Sequence, residues 1–284
     1  MTKKENTDYL FSQYKPKYFA HLASQSSVLK SMKYKKLTRE ENEVISSNLI
    51  NSLILKSKNT KMFFPSSATI YEGYQNKIVN EKTEPKPLTT YSTTKYNTQY
   101  TIERLTQSGG LSASIGIMFG HESEFRRSNF FSKIITEFIV DYKFNRRRKL
   151  TVGNISLKRD MGYAKEYSEA ILKILLKNTD NKYIVSTNKL HSLQDFIVNC
   201  LNFIEINFEI VNDKNSTSFI DKKNGKVFLS SEKSKYRDVD LSGIQGDNSK
   251  IKKDIGWFPT FTLDEICSKM ISYDIKKLEN NNYM

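Results

Sequence analysis

Residues 90–95 read TYSTTK, and the strand-like run KMFFPSS precedes them at residues 61–67. Tyr91 and Lys95 are four residues apart, so on a helix they lie on the same face, one turn from each other. A lysine ammonium beside a phenol favours the phenolate, which can take a proton from a sugar hydroxyl while a hydride leaves the same carbon. Ser67 ends the preceding strand and is placed to hold that hydroxyl. We therefore interpret Tyr91 as a catalytic base; an ordinary surface helix with a tyrosine and a lysine is the alternative.

Length and composition indicate a globular protein. The 284 residues suffice for one large domain or two small ones, and 38% are hydrophobic and 12% aromatic. No apolar run approaches the ~18–20 residues of a membrane span. The first residues, MTKKEN, have no apolar stretch after the lysines, so we expect no membrane segment and no secretory signal. We expect a cytoplasmic protein in which Cys200 and Cys267 are free buried thiols.

The net charge of +14 is compatible with nucleic-acid binding. The basic residues are, however, spread along the chain, and residues 146–149 (RRRK) form the only dense cluster. The many Lys, Asn and Ile residues indicate a general compositional bias. We therefore expect no nucleic-acid partner, and we predict no metal site.

Strand-like and helix-like runs alternate through the first 120 residues. Strands are predicted at 17–23, 61–67 and 112–119, and helices at 8–14, 38–56 and 91–105. Thr38 is the expected N-cap of the second helix, with Glu41 at the capping-box position. Such alternation predicts a parallel, doubly wound sheet, in which ligands bind beyond the carboxyl ends of the strands. Polar residues follow all three strands, so we expect one binding edge.

The second half of the chain predicts a mixed α/β arrangement with shorter strands. Ser192 is the expected cap of one of its helices. We predict the following elements: helices at 129–142, 160–177, 192–203 and 263–277, strands at 150–152, 183–186, 207–211 and 226–230, and a polar, mobile loop at 212–224.

Eight motifs resemble the extended short-chain dehydrogenase/reductase family (NAD-dependent epimerase/dehydratase), and within it the GDP-mannose 4,6-dehydratase branch. The motifs are HLASQSSV (21–28), FPSS (64–67), YSTTK (91–95), GHES (120–123), GNISLKRDMG (153–162), KEY (165–167), QGD (245–247) and GWFP (256–259). The GHES and GNISLKRD stretches are specific to this branch. The similarity runs from about Tyr9 to Asp274.

The resemblance implies an α/β fold with a partial Rossmann-like parallel sheet and a smaller mixed α/β substrate domain. Residues 1–120 would be the remnant of the NAD(P)-binding Rossmann domain. Residues 121–284 would be mostly the nucleotide-sugar-binding domain, with some elements returning to the Rossmann half. Family members usually form dimers or tetramers.

The implied chemistry is that of an NADP-dependent lyase of nucleotide-sugar metabolism. The family oxidises C4 of GDP-mannose, removes the C5 proton, eliminates water from C6 and returns the hydride to C6, giving GDP-4-keto-6-deoxymannose. By analogy Tyr91 is the base at O4, Lys95 positions the cofactor ribose and tunes Tyr91, and Ser67 binds the substrate near O4. Thr69 occupies the remaining catalytic position.

Further binding residues are implied in the same way. Gln25, His121 and Arg126 match cofactor-contacting positions. Arg159 matches a nucleotide-sugar contact, and Arg237 and Asp240 match an arginine and a glutamate at the GDP end, where an arginine fork suits a diphosphate. A surface ion pair is the alternative role for each of Arg159 and Arg237, and a structural histidine is the alternative for His121.

The sequence departs from the family in its phosphate-binding loop. That glycine-rich loop should follow the first strand and open the first helix, and the first glycine in this sequence is Gly73. The resemblance then implies that the first strands of the Rossmann half are missing and that the NADP site is incomplete. We expect either a truncated or split product or a front part supplied by another polypeptide. A homo-oligomer or association with a full-length homologue is therefore expected.

The catalytic strand end also departs from the family. Thr69 replaces the glutamate that removes the C5 proton, and a threonine hydroxyl has no useful basicity near neutral pH. Residues 66–71 (SSATIY) are closer to UDP-galactose 4-epimerases, which need no such base. We expect Glu72, three residues further on, to be an exposed loop residue; a side chain that reaches the site is the alternative. Gly120 and residues 124–125 (EF) also replace an asparagine and a Pro-Arg pair of the family.

Three functions are compatible with these residues. The first is a GDP-mannose 4,6-dehydratase-like enzyme whose isolated chain is inactive in dehydration. The second is a nucleotide-sugar epimerase or 4-keto reductase. The third is a non-catalytic partner subunit of a full-length homologue.

Overall fold

The computed structural model describes residues 1–26, 31, 33–177, 179–236 and 243–281. These residues form two compact units. The first unit combines the described residues of 1–119, 167–188 and 244–258, and the second combines those of 120–166, 189–243 and 259–284. The predicted α/β fold class, with a parallel sheet and helices, is confirmed.

The elements follow each other in the order expected for alternating strands and helices. Up to residue 119 they are α1 (Lys4–Tyr14), β1 (Tyr18–Ala20), α2 (Lys35–Arg39), a π-helical turn (Glu40–Val44), α3 (Ile45–Lys56), β2 (Lys61–Ser67), a 3₁₀ turn (Ala68–Tyr71), β3 (Ile78–Val79), α4 (Thr90–Gln107) and β4 (Ala113–Met118). From residue 120 they are β5 (Gly120–Glu122), α5 (Phe131–Lys143), β6 (Leu150–Val152), β7 (Lys158–Arg159), β8 (Met161–Tyr163), α6 (Ala164–Leu176), β9 (Lys182–Val185), β10 (His191–Ser192), α7 (Leu193–Phe203), β11 (Phe208–Asn212), β12 (Ser216–Asp221), β13 (Lys226–Glu232), a 3₁₀ turn (Lys233–Lys235), β14 (Gln245–Gly246), α8 (Ser249–Ile255) and α9 (Leu263–Asn281).

A four-stranded parallel sheet in the order β1-β2-β4-β9 forms the centre of the first unit. Tyr18 lies opposite Lys61, and Met62 lies opposite Ala113. Because β1 and β2 are parallel neighbours, their carboxyl ends lie on the same edge of the sheet. The residues that follow these two strands therefore share one edge.

Both faces of this sheet are covered. Successive side chains of a strand point to opposite faces. Met62 and Phe64 pack into one core with residues of α1, α3 and α4, whereas Phe63 packs into another with Tyr167 and Tyr183. Burial of consecutive strand residues is typical of doubly wound sheets, which have helices on both faces.

The second unit contains a mixed sheet and two short strand pairs. The sheet has the order β11-β12-β13-β6, with β11, β12 and β13 antiparallel and β13 parallel to β6. β5 pairs with β8, and β7 pairs with β10. One hydrophobic core, which includes Phe138, Phe196, Phe219 and Met270, joins the sheet to α5, α7 and α9.

Two predictions for the second unit were wrong. Residues 212–224 are not a polar loop, because β12 lies within them and buries Phe219 completely. The helix predicted from residue 160 begins at Ala164, since Met161–Tyr163 instead pairs with Gly120–Glu122. The error at residues 161–163 concerns a strand whose partner, β5, is distant in sequence, whereas β12 pairs with its neighbours along the chain, β11 and β13.

One helix cap was predicted correctly and one was not. The Ser192 hydroxyl accepts a 2.9 Å hydrogen bond from the backbone N–H of Asp195, which confirms the predicted cap. Thr38 is not an N-cap: it lies inside α2, which begins at Lys35, and its buried hydroxyl accepts a 3.3 Å hydrogen bond from the Gln25 side chain. A tertiary partner thus uses the hydroxyl that was expected to cap the helix.

The predicted state of the cysteines is confirmed, because Cys200 and Cys267 are free and buried. Every helix in the described ranges is too short or too polar to cross a membrane. Within the same ranges, no three His, Cys, Asp or Glu side chains are grouped as a metal ion would require.

Candidate active site

The helix α4 brings Tyr91 and Lys95 into the interior of the first unit. Its N-cap is Thr89, whose hydroxyl accepts a hydrogen bond from the N–H of Ser92, while the Ser92 hydroxyl accepts one from the N–H of Thr89. This capping box satisfies N–H groups that lack a partner within the helix. Tyr91 is 8% exposed and Lys95 is 6% exposed. The alternative of an ordinary surface helix is therefore wrong for these two side chains.

The Lys95 ammonium is held by groups from two strand ends. Its Nζ donates to the Pro65 carbonyl oxygen at 3.0 Å and to Ser24 Oγ at 3.3 Å. It lies 5.2 Å from the Phe64 ring centroid and 5.9 Å from that of Tyr91. Burial lowers the pKa of Lys95 from its usual 10.5 to about 8. Below that pH a positive charge therefore lies beside Tyr91, where it favours the phenolate.

Ser67 is the last residue of β2, at the same edge of the sheet, and Thr69 orients it. Ser67 Oγ accepts a 2.9 Å hydrogen bond from the Thr69 hydroxyl and a 3.3 Å hydrogen bond from the Thr69 N–H. Both contacts use the acceptor capacity of the hydroxyl. The proton of Ser67 is thereby left to donate to a ligand oxygen.

Glu72 was predicted to be an exposed loop residue, and this prediction was wrong. Its side chain is 2% exposed, and its carboxylate accepts hydrogen bonds from the N–H of Thr89 at 3.0 Å and the Ser92 hydroxyl at 2.7 Å. Weaker contacts come from the Leu88 N–H and the Thr89 hydroxyl, both at 3.3 Å. The carboxylate therefore caps α4 and is not directed towards a ligand.

His21 and Gln25 lie just after β1. His21 Nε2 is 3.1 Å from Ser46 Oγ, and burial together with the charge of Lys95 lowers the pKa of His21 to about 4, so its ring is neutral near pH 7. The Gln25 backbone N–H donates to Asn42 Oδ1 at 2.9 Å, and its side chain is the donor to Thr38 described above. Gln25 thus lies at the strand end, as predicted, although the hydrogen bonds described here hold it to the protein itself.

The second unit contains His121 and Arg126, which were predicted to contact the cofactor. Arg126 Nη1 donates to the His121 carbonyl oxygen at 3.3 Å, and its Nε forms a 3.3 Å ion pair with Glu122. The guanidinium also lies 3.8 Å from the Phe130 ring centroid. Burial raises the pKa of Glu122, and the charge of Arg126 opposes that shift. Arg126 is therefore anchored within its own loop.

The remaining predicted residues concern the sugar nucleotide. Arg159 lies on β7 opposite His191, is half-buried, and donates from Nη1 to the Lys158 carbonyl oxygen at 3.0 Å. Arg237 and Asp240 lie outside the described residues. Their roles, like those of all the predicted site residues, stay predictions.

The prediction omitted two residues that contact this site. Ser24 belongs to the polar run after β1, so its place at a strand end could be predicted from the sequence. Its hydrogen bond with Lys95 could not. Asn42 gave no signal, because a polar residue in a helical pattern is ordinarily solvent-exposed. Its side chain instead bonds Gln25 and Thr94.

Comparison with known proteins places the chain among nucleotide-sugar enzymes. A family model described as GDP-mannose 4,6 dehydratase matches residues 1–270. The chain belongs to the GDP-mannose 4,6-dehydratase family. It is 27% identical to GDP-mannose 4,6 dehydratase 2 of Caenorhabditis elegans, covering 95% of this chain and 71% of that protein. It is 25% identical to the human GDP-mannose 4,6 dehydratase, and the match covers 96% of this chain and 74% of that protein.

Solved structures with the same fold are similar at lower sequence identity. The Pseudomonas aeruginosa protein RMD, complexed with NADPH, has a TM-score of 0.81 at 16% identity, covering 97% of this chain and 86% of that chain. The UDP-glucose 4-epimerase of Thermotoga maritima, with UDP-glucose, has a TM-score of 0.80 at 19% identity, and the match covers 98% of this chain and 83% of that chain. These likenesses establish the shared fold.

Proposed function

We propose that this chain is a GDP-mannose 4,6-dehydratase-like enzyme that acts on a GDP-sugar with NADP, and that Tyr91 is its acid–base group at O4 of the hexose. The observation that carries the proposal is the buried Lys95 ammonium, 5.9 Å from the Tyr91 ring on the same helix. Membership of the dehydratase family supports the substrate class, and the NADPH bound to RMD supports the cofactor class.

The described residues fit one end of NADP. Two of the three N–H groups of Lys95 donate to Ser24 and Pro65, which leaves one to donate to a ribose hydroxyl. The sequence has no glycine-rich loop that would receive the pyrophosphate. The fit is therefore to the nicotinamide ribose, where NADP, when bound, exchanges a hydride with the sugar.

The protein residues supply the proton transfer and the orientation. Ser67 donates a hydrogen bond to O4 of the hexose, because Thr69 occupies its acceptor side. Tyr91, as the phenolate, removes the proton from the O4 hydroxyl, and the same proton returns to O4 in the reverse direction. Lys95 stabilises the phenolate by its charge, in a buried setting where electrostatic interactions are strong.

Elimination of water across C5 and C6 requires a second base, which the first unit does not supply at the expected positions. Thr69 is neutral and donates to Ser67, and the Glu72 carboxylate caps α4. The activity that these residues support is reversible oxidation at C4. A second candidate is a nucleotide-sugar epimerase or 4-keto reductase. It is favoured because Thr69 donates to Ser67 and does not act as a base, and those reactions need the Ser-Tyr-Lys set alone.

Association with another chain belongs to the same proposal. β1 has a strand neighbour on one side only among the described residues, and a free strand edge can pair with another chain. The partner would be a second copy or a full-length homologue, with a non-catalytic role for this chain as the third candidate function.

We also propose a cytoplasmic location, which the two free thiols favour.

The proposal is tested by incubating the purified chain with NADP and GDP-mannose and following NADPH fluorescence. We expect NADPH formation that Tyr91→Phe abolishes and that Tyr100→Phe, an exposed tyrosine on the same helix, leaves unchanged. Equal rates in the wild type and Tyr91→Phe would overturn the role of Tyr91. NADPH formation only after addition of a full-length homologue, and independent of Tyr91, would identify a non-catalytic subunit.

A further inference from the structure

The two cysteines of the chain lie in the same core of the second unit. Cys200 is on α7 and Cys267 is on α9, and both side chains are completely buried in that core. The sequence contains no other cysteine. The fold therefore brings the only two thiols of the chain, which are distant in sequence, onto two helices that pack in one core.

The Cys267 thiol is directed at the turn of α7 that carries Cys200. Its Sγ donates a 3.6 Å hydrogen bond to the Phe196 carbonyl oxygen. Phe196 is four residues before Cys200, and in an α-helix such a carbonyl also accepts from the backbone N–H four residues later. The Cys267 sulfur therefore lies beside the backbone turn from which the Cys200 side chain extends.

The two thiols also contact each other. Burial first, and then a hydrogen bond with the Cys267 thiol, raise the pKa of Cys200 above its usual value. The hydrogen bond joins the two sulfur atoms that a disulfide would join covalently. A cysteine buried alone among apolar side chains is inert, whereas in this pair a second thiol is in contact as soon as the first is oxidised.

We propose that Cys200 and Cys267 form an oxidation site, at which a peroxide converts the two thiols into an intrachain disulfide that links α7 to α9. None of the catalytic roles proposed above uses either cysteine. The proposal is therefore independent of the proposed function.

The step is a two-electron oxidation in which the peroxide is the oxidant. The thiolate of one cysteine attacks a peroxide oxygen, so an S–O bond forms, the O–O bond breaks, and the leaving hydroxide takes up the thiol proton as water. The second sulfur then attacks the sulfenic sulfur, so the S–S bond forms, the S–O bond breaks, and the leaving hydroxide takes up the second thiol proton. Two thiols and one hydrogen peroxide thus give one disulfide and two water molecules.

Local opening of the helix pair limits the rate of this step, because both side chains are buried and the raised pKa of Cys200 disfavours its thiolate. Proteins open locally at a lower free energy than global unfolding requires, so we expect slow oxidation of the folded chain. The disulfide should then stabilise the second unit, since a link between residues distant in sequence restricts the unfolded state.

The test is incubation of the folded full chain with hydrogen peroxide, followed by alkylation of the remaining thiols in urea and non-reducing peptide mapping by mass spectrometry. Cys200→Ala and Cys267→Ala each lack one partner. The matched control is Cys200→Ala/Asn202→Cys, which keeps two cysteines but places one at an exposed position of α7. Circular dichroism checks the fold, and Cys200→Val replaces Cys200→Ala if that variant does not fold.

We expect the oxidised wild type to yield a linked peptide that contains Cys200 and Cys267 and that dithiothreitol separates. The three variants should yield no intrachain link. Two alkylated thiols in the peroxide-treated wild type would overturn the proposal, as would a link between chains or a link that forms only in urea. An equal yield of intrachain link in Cys200→Ala/Asn202→Cys would also overturn it, because the contact in the core would then not be required.

The thermal unfolding midpoint is the second measurement. The oxidised wild type should unfold about 10 °C above the reduced wild type, and peroxide should cause no such rise in the variants. An unchanged midpoint would contradict a link between α7 and α9. Because neither measurement needs turnover, an inactive wild type would contradict the proposed function without affecting this result.

Discussion

The Glu72 carboxylate accepts a 2.7 Å hydrogen bond from the hydroxyl of Ser92, in the first turn of α4. Glu72 follows the 3₁₀ turn that begins directly after Ser67, so this contact ties the end of β2 to the helix that carries Tyr91. A carboxylate at a helix N-terminus is also favourable for the helix dipole. The contact therefore helps to set the position of Ser67 relative to Tyr91.

Glu72→Ala should destabilise the protein strongly. The change removes the carboxylate that accepts from the buried Thr89 N–H and Ser92 hydroxyl, and each hydrogen bond to a charged group contributes about 1.5–3 kcal/mol. We expect a loss of about 3 kcal/mol in the free energy of unfolding, measured by urea denaturation. Glu84→Ala, at an exposed glutamate in the same loop, is the control and should change little. Equal stability of Glu72→Ala and the wild type would contradict the capping role.

Thr69→Glu should introduce the missing base. The wild-type chain, with NADP and GDP-mannose, is expected to give no 4-keto-6-deoxy product, because Thr69 cannot remove the C5 proton. The glutamate variant should give that product, detected by mass spectrometry, and Thr69→Gln serves as the uncharged control. Formation of the product by the wild type would show that another group acts as the base.

Activity should decrease above about pH 8. The ammonium of Lys95 supports the Tyr91 phenolate, and burial lowers the pKa of Lys95 to about 8, so the charge is lost as the pH rises through that value. The measurement is kcat/KM for C4 oxidation across a pH series. A profile that stays flat through this range would indicate that the charge of Lys95 is not required.

His21 should make the fold sensitive to mild acid. Its pKa is about 4 in the folded protein and near 6.5 when the residue is exposed. Between these values the unfolded state binds more protons, so stability rises with pH across this window and is lost as the pH falls towards 4. Across this whole window the contribution of His21 to the free energy of unfolding changes by about 3 kcal/mol.

His21→Gln should remove most of this dependence, measured as the free energy of unfolding at several pH values between 4 and 7. His191→Gln is the comparison, since His191 is less buried and its pKa is lowered by burial against the opposing charge of Asp195. An unchanged pH dependence in His21→Gln would assign the acid sensitivity to other groups.

The sequence alone determined the features that depend on near neighbours. The run at 61–67 is a strand because it is apolar and bounded by polar residues, and the i, i+4 spacing of Tyr91 and Lys95 is a property of any helix. Ser192 caps its helix because its partner, Asp195, is three residues away. Family membership could likewise be predicted, because motifs such as GHES are contiguous in the sequence.

Tertiary structure decided whatever depends on partners distant in sequence. Thr38 lost its predicted capping role to Gln25, residues 161–163 paired with β5 instead of extending α6, and Glu72 became buried because the N-terminus of α4 needs an acceptor. Asn42 contacts Thr94, 52 positions later. A hydrogen bond or a strand pair of this kind is stabilised only after the chain has folded, and local periodicity carries no information about it.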